Sequence, residues 1–122
     1  MAKEKLSDVV ITEIPINETM LREGVMSTLA VVSGKRRRYA YKYVLTNKGI
    51  WMRSKKFLFF KAKTSFIAYE DILHYKNTKY FASDTIMFYP KNSKRPTNHI
   101  SFDDMNEVMQ ILGRFIKKAD SK

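Results

Sequence analysis

The 122-residue sequence predicts an α+β, mainly β domain. About seven short antiparallel strands are closed by one C-terminal helix, at about residues 103–119. Three observations predict it. The chain holds eight Phe, seven Tyr and one Trp against four Gly and three Pro, a mix that suits pleated surfaces. From Met20 onward, short extended segments alternate with turn signals. Near the end the apolar period changes from two to between three and four, the mark of an amphipathic helix.

The strands follow in order. Val9 to Ile14 is an expected short leading strand within a flexible segment, residues 1–17. Val25 to Ser33 is apolar and β-forming, and Gly34-Lys35 turns the chain. In Arg38 to Thr46 the residues alternate: Tyr39, Tyr41, Tyr43 and Leu45 face one way, and Arg38, Ala40, Lys42 and Val44 the other. Thr46-Asn47-Lys48-Gly49 signals a hairpin in which Gly49 supplies a left-handed residue. Ile50 to Arg53 returns. Trp51 there shares a face with Arg53 and is expected to pack against core or helix.

Phe57 to Phe60 is another expected strand after the Ser54-Lys55-Lys56 turn. Phe66 to Tyr69 and Ile72 to Lys76 join around Glu70-Asp71. Tyr80 to Ala82 and Thr85 to Tyr89 flank a turn or bulge at Ser83-Asp84. A loop from Pro90 to Pro96 precedes the last strand, Thr97 to Phe102. Met105, Val108, Met109, Leu112, Phe115, Ile116 and Ala119 then share one helical face, with Ser101 or Asp103 as the cap. Gly113 falls off that stripe and weakens the helix. The domain is expected over 18–119, with a tail at 120–122.

Composition narrows the function. There is no cysteine, so disulfides and thiolate metal sites are excluded. The charged N-terminus does not read as a signal peptide, and no stretch approaches the roughly 20 apolar residues of a membrane span. A cytoplasmic protein is expected, with peripheral association at the inner membrane face as one option. The net charge is +11. Residues Gly24 to Tyr69 hold 11 Lys or Arg and no acid, whereas the rest of the chain balances its charges. A localised field of one sign attracts polyanions.

Tyr43-Val44-Leu45-Thr46-Asn47-Lys48-Gly49-Ile50-Trp51-Met52 resembles a hairpin of the bacterial pleckstrin-homology-like (PH-like), GRAM-related domain family. Ile67-Ala68-Tyr69-Glu70-Asp71-Ile72 is similar to that family's I-x-Y-x-D-I segment, and the closing helix stands where the family has its capping helix. Gly49 departs from the usual arginine. The resemblance implies a PH-like barrel of two nearly orthogonal sheets with a helix plugging one open end. It also implies a non-catalytic module that binds lipids, proteins or peptides, or assembles with itself.

The candidate anion- or lipid-binding residues are Lys35, Arg36, Arg37, Arg38, Lys42, Lys55 and Lys56. Arg36, Arg38 and Lys42 share one parity, with same-side neighbours about 6.6 Å apart. Converging guanidinium groups hold phosphate in a two-pronged geometry. A solvated hairpin tip is the plainer reading. Phe57, Leu58, Phe59 and Phe60, flanked by lysines, form a candidate interaction patch for a protein partner or homo-oligomer, with a core strand as the alternative. Weak, sequence-indifferent nucleic-acid binding is a lesser alternative, and no sequence-specific site is expected. His74 and His99 lack metal-ligand spacing, so neither metal nor cofactor is expected. Glu70, Asp71 and His74 have a simple structural reading, and no catalytic motif accompanies them.

Overall fold

The computed structural model describes residues 5–55, 61–80 and 82–118, with backbone only for Val32. Seven strands and one α-helix follow in chain order: β1 Met20–Val32, β2 Lys35–Thr46, β3 Gly49–Arg53, β4 Thr64–Ala68, β5 Ile72–Tyr80, β6 Ser83–Pro90, β7 His99–Phe102 and α1 Met105–Leu112. All strand pairs are antiparallel. Among the described residues no helix is long and apolar enough to cross a membrane. The expected strand at Phe57 to Phe60 lies outside the described residues.

Hydrogen bonding joins the strands into one sheet, ordered β4-β3-β2-β1-β7-β6-β5. The expected mainly β fold of seven antiparallel strands and one C-terminal helix is borne out, with the strands in that one sheet. β1 is long enough to pair with β2 along its length and with β7 at Met26 to Leu29, so it stitches the two halves together. The arrangement is consistent with a PH-like sandwich or barrel, but the sheet is not closed: β4 and β5 are its outer strands.

One core lies inside the curved sheet. Alternation in β2 and β3 buries Tyr43, Leu45, Ile50 and Met52, which meet Ile86, Phe88, Ile100 and Phe102 from β6 and β7. Val108 and Leu112 of α1 close the cluster. Isolated amphipathic helices of eight residues are marginal in water, so this burial is what holds α1.

Several local expectations are corrected. The β1–β2 turn is Ser33-Gly34, not Gly34-Lys35. Both residues have positive φ (52° and 76°) and Val32 pairs directly with Lys35, the two-residue loop that matches strand twist. The β5–β6 turn precedes Ser83, which already pairs with Tyr80, and Ala82 supplies the positive φ of 69°. Val9 to Ile14 forms no strand. It lies across the outer face of β1–β3 instead of along an edge, which buries the i, i+2 pair Val9 and Ile11. A 3-10 turn, Leu6–Asp8, precedes it.

The helix cap is Asp104, whose carboxylate accepts from the Glu107 N–H at 3.2 Å. Asp103 serves a different purpose. Its carboxylate accepts from the Val25 N–H (3.2 Å) and from the Tyr43 hydroxyl (2.7 Å), and its own N–H reaches the Val25 carbonyl (3.1 Å). A Cβ on Gly24 would meet that carboxylate at 2.2 Å, so a side chain there must displace it. Arg22 joins in, bonding Glu107 and the Tyr43 oxygen. Burial, then the Asp103 carboxylate, pushes the Tyr43 hydroxyl well above ordinary phenol, so it stays a donor.

The helix ends at Leu112, short of the expected residue 119. From Gly113 the chain tightens, with Arg114 and Phe115 N–H groups bonding the carbonyls of Ile111 and Leu112. Ile116 still reaches the core. The Lys117 carbonyl then accepts from the Tyr75 N–H at 3.0 Å, and Lys118 bridges Tyr75 in parallel. Pairing with the outer strand β5 thus competes with a helix already weakened at Gly113.

Candidate anion-binding site on the β1–β2 hairpin

The arginine run lies in strand, not in the turn. Arg36, Arg37 and Arg38 pair with Val31, Ala30 and Leu29. β3 pairs with β2 only from Lys42 to Leu45. Among the described residues, 35–41 of β2 are therefore paired only with β1, and beyond the reach of β7 the hairpin end, 30–32 with 35–37, is a two-stranded arm. Tyr39 is accordingly exposed, whereas Tyr43, four residues along, is fully buried.

Arg36, Arg37 and Arg38 line one cavity of about 320 Å³ together with Leu29, Tyr80 and Ser83. Its far wall is the β5–β6 hairpin. Among the described residues no carboxylate lines it, and Asp84, next to Ser83, sits 3.7 Å from the Lys79 ammonium. Three arginines and two residues with hydroxyl-bearing side chains therefore line a cavity with no opposing acid among the described residues, which favours an anion.

The other candidates are placed elsewhere. Lys35 is exposed at the start of the arm but does not line the cavity. Lys42 is turned to the outer face. Its side chain is only 12% exposed, with Nζ 3.7 Å from Glu23 and 3.4 Å from the Ser7 carbonyl oxygen. It lines a separate cavity of about 220 Å³ beneath the N-terminal segment. Lys55 is exposed beyond β3 and does not line the arginine cavity. Lys56 and the candidate patch Phe57, Leu58, Phe59 and Phe60 lie outside the described residues. Sequence reasoning missed Tyr80 and Ser83, because strand parity says nothing about which other hairpin stands opposite. The turn placed between their strands was the available signal.

Behind Tyr80 lies a small polar cluster. The His99 ring lies 4.4 Å from the Tyr80 ring, tilted by 30°, and its Nδ1 is 2.9 Å from the Thr85 hydroxyl and 3.2 Å from that of Thr78. Thr85 is fully buried. Burial holds the His99 pKa below the ordinary 6.5. The unfolded chain therefore takes up this proton first as pH falls, so the stability contribution is lost through and below the ordinary value. We expect the urea midpoint to drop between about pH 7.5 and about pH 5.5, and His99→Asn to flatten that drop. Identical slopes for the two proteins would contradict this reading.

The remaining polar features lie away from the arginine cavity. His74 stacks with Tyr89 at 4.6 Å, and Glu70 and Asp71 sit in the 3-10 turn Tyr69–Asp71. Trp51 packs against Phe66 and donates to Glu18 at 3.1 Å. Among the described residues no group of three or more His, Asp or Glu side chains is placed to hold a metal ion.

Comparison with known proteins finds no match to this chain among family models, curated proteins or solved structures.

Proposed function

We propose that this chain is a non-catalytic, PH-like binding module that contacts phosphate groups, on an anionic membrane surface or a phosphorylated ligand, through the β1–β2 arm. The observation that supports it best is the cavity lined by Arg36, Arg37 and Arg38 and, among the described residues, by no acid. A planar guanidinium suits phosphate oxygens in pairs, and Ser83 and Tyr80 line the opposite wall. The exposed Val31 beside Arg36 gives the arm a small apolar surface as well. Seven antiparallel strands with a C-terminal helix, consistent with a PH-like fold, support the same class. The proposed location is the cytoplasm, with peripheral binding at the inner membrane face.

Co-sedimentation with neutral and anionic vesicles, at low and high salt, tests the membrane source. Titration with a soluble inositol phosphate tests the free-ligand source. Retention on anionic vesicles alone, weakened by salt, is expected if the surface is the partner. Saturable binding of the soluble ligand is expected if one phosphorylated group suffices. Equal retention on both vesicle types together with no soluble binding overturns the proposal. Nucleic acid would draw on the same arginines, and its binding should then be steeply salt-dependent and indifferent to sequence.

A further inference from the structure

We propose that a second copy of this chain seats its basic β1–β2 arm in an aromatic, acid-flanked groove at the other end of the sheet, so that copies associate head to tail. The groove has a volume of about 550 Å³, and its lining includes Glu18, Lys48, Phe66, Tyr69, Glu70 and Phe115. Phe66 and Phe115 remain 40% and 39% exposed. Each is held by another ring: Phe66 lies 4.5 Å from Trp51, and Phe115 stacks on Tyr69 at 4.6 Å and 11°. They are fixed surfaces, not loose side chains.

The groove's charge is opposite to that of the arm. Among the described residues two carboxylates line it against one ammonium, Lys48, in a protein of net charge +11. The Glu18 carboxylate is fixed by the Thr46 hydroxyl (2.7 Å) and the Trp51 N–H (3.1 Å), and Glu70 is exposed on its turn. Fixed aromatic rings beside carboxylates suit a guanidinium, which stacks on the ring and pairs with the acid.

The occupant is another copy because β2 itself separates the two surfaces. Lys35 begins this 12-residue strand, and Asn47 and Lys48 follow its last residue. At about 3.3 Å per residue the stretch from Arg38 to Asn47 spans roughly 30 Å, so a chain cannot fill its own groove. Backbone supports the same contact. β4, which carries Phe66, is an outer strand of the sheet, and 35–41 of β2 lack a second strand partner among the described residues. Such edges add strands. Because the two surfaces differ, the contact is heterologous and generates rings or open chains.

Sedimentation velocity across a concentration series at low salt tests this. The mean mass should rise with concentration and fall with salt. Glu70→Lys spoils the groove and Arg37→Glu the arm. Each alone should weaken association by at least about tenfold. Mixed together, they bring one wild-type arm to one wild-type groove, so association at least to a 1:1 pair is expected to return. A wild-type protein that stays monomeric, association unaffected by either variant, or a mixture that stays monomeric overturns the proposal. Glu70→Lys should keep its binding to anionic vesicles, so failure here is distinct from failure of the anion-binding proposal.

Discussion

Gly49→Ala is expected to destabilise the domain by about 2–3 kcal/mol, the cost of forcing extra volume into a packed site. The reason is not backbone handedness. Gly34 is the only described glycine with positive φ, so Gly49 does not supply the left-handed residue expected from the Thr46-Asn47-Lys48-Gly49 pattern. The Thr46 hydroxyl instead accepts from the Lys48 and Gly49 N–H groups (3.1 and 3.3 Å) and shapes the turn. Glycine is required by close approach. A Cβ would fall 2.3 Å from the Ile67 carbonyl oxygen and 2.6 Å from the Phe66 ring. The oxygen belongs to backbone paired with β3, so it cannot move without opening the β3–β4 ladder. Gly34→Ala is the useful contrast. Its φ of 76° disfavours alanine by about 1–2 kcal/mol, but nothing lies within 4 Å. Urea unfolding of both variants checks the order. A Gly49→Ala protein as stable as wild type would mean that β4 does not pack as described.

Replacing Arg36, Arg37 and Arg38 together by alanine is expected to cut binding to anionic vesicles by roughly 100-fold. Each cation near an anionic surface contributes about 1 kcal/mol, and about 1.4 kcal/mol is tenfold in affinity. All three are exposed, so the melting temperature should change little. Lys42→Ala should behave in the opposite way. That side chain lies between Glu23 and the Ser7 carbonyl and not in the arginine cavity. Its removal should loosen the N-terminal segment and cost about 0.5–1 kcal/mol of stability, because it is mostly buried against that segment, with vesicle binding nearly retained. If Lys42→Ala lost as much binding as the triple variant, the cavity would not be the site.

Much of the fold was legible because its signals are local. Alternation placed Tyr43 and Leu45 opposite Lys42 and Val44, and the structure buries the first pair in the core and covers the second with the N-terminal segment. The helical stripe identified Val108, Leu112 and Ile116 as core residues, even though the last lies beyond the helix. What stayed hidden depends on contacts between distant segments. Asp103 looked like a cap by its position before the stripe, whereas its partners are Val25 and Tyr43 on other strands. A single uniform block of positive charge in sequence divides in space. The arm arginines share a cavity with Tyr80, while Lys42 is neutralised by Glu23 on the neighbouring strand. Parity fixes the face on which a side chain stands, and only the strand order decides what it meets there.

The most direct test of the anion site compares two triple variants of equal charge. One replaces Arg36, Arg37 and Arg38 by alanine. The other replaces Lys91, Lys94 and Arg95, all exposed in the β6–β7 loop. Both lower the net charge of +11 by three. Vesicle binding at matched ionic strength should collapse in the first and stay close to wild type in the second. Equal losses would mean that a diffuse positive field, and not the cavity on the β1–β2 arm, draws the anion, and would contradict the proposed site.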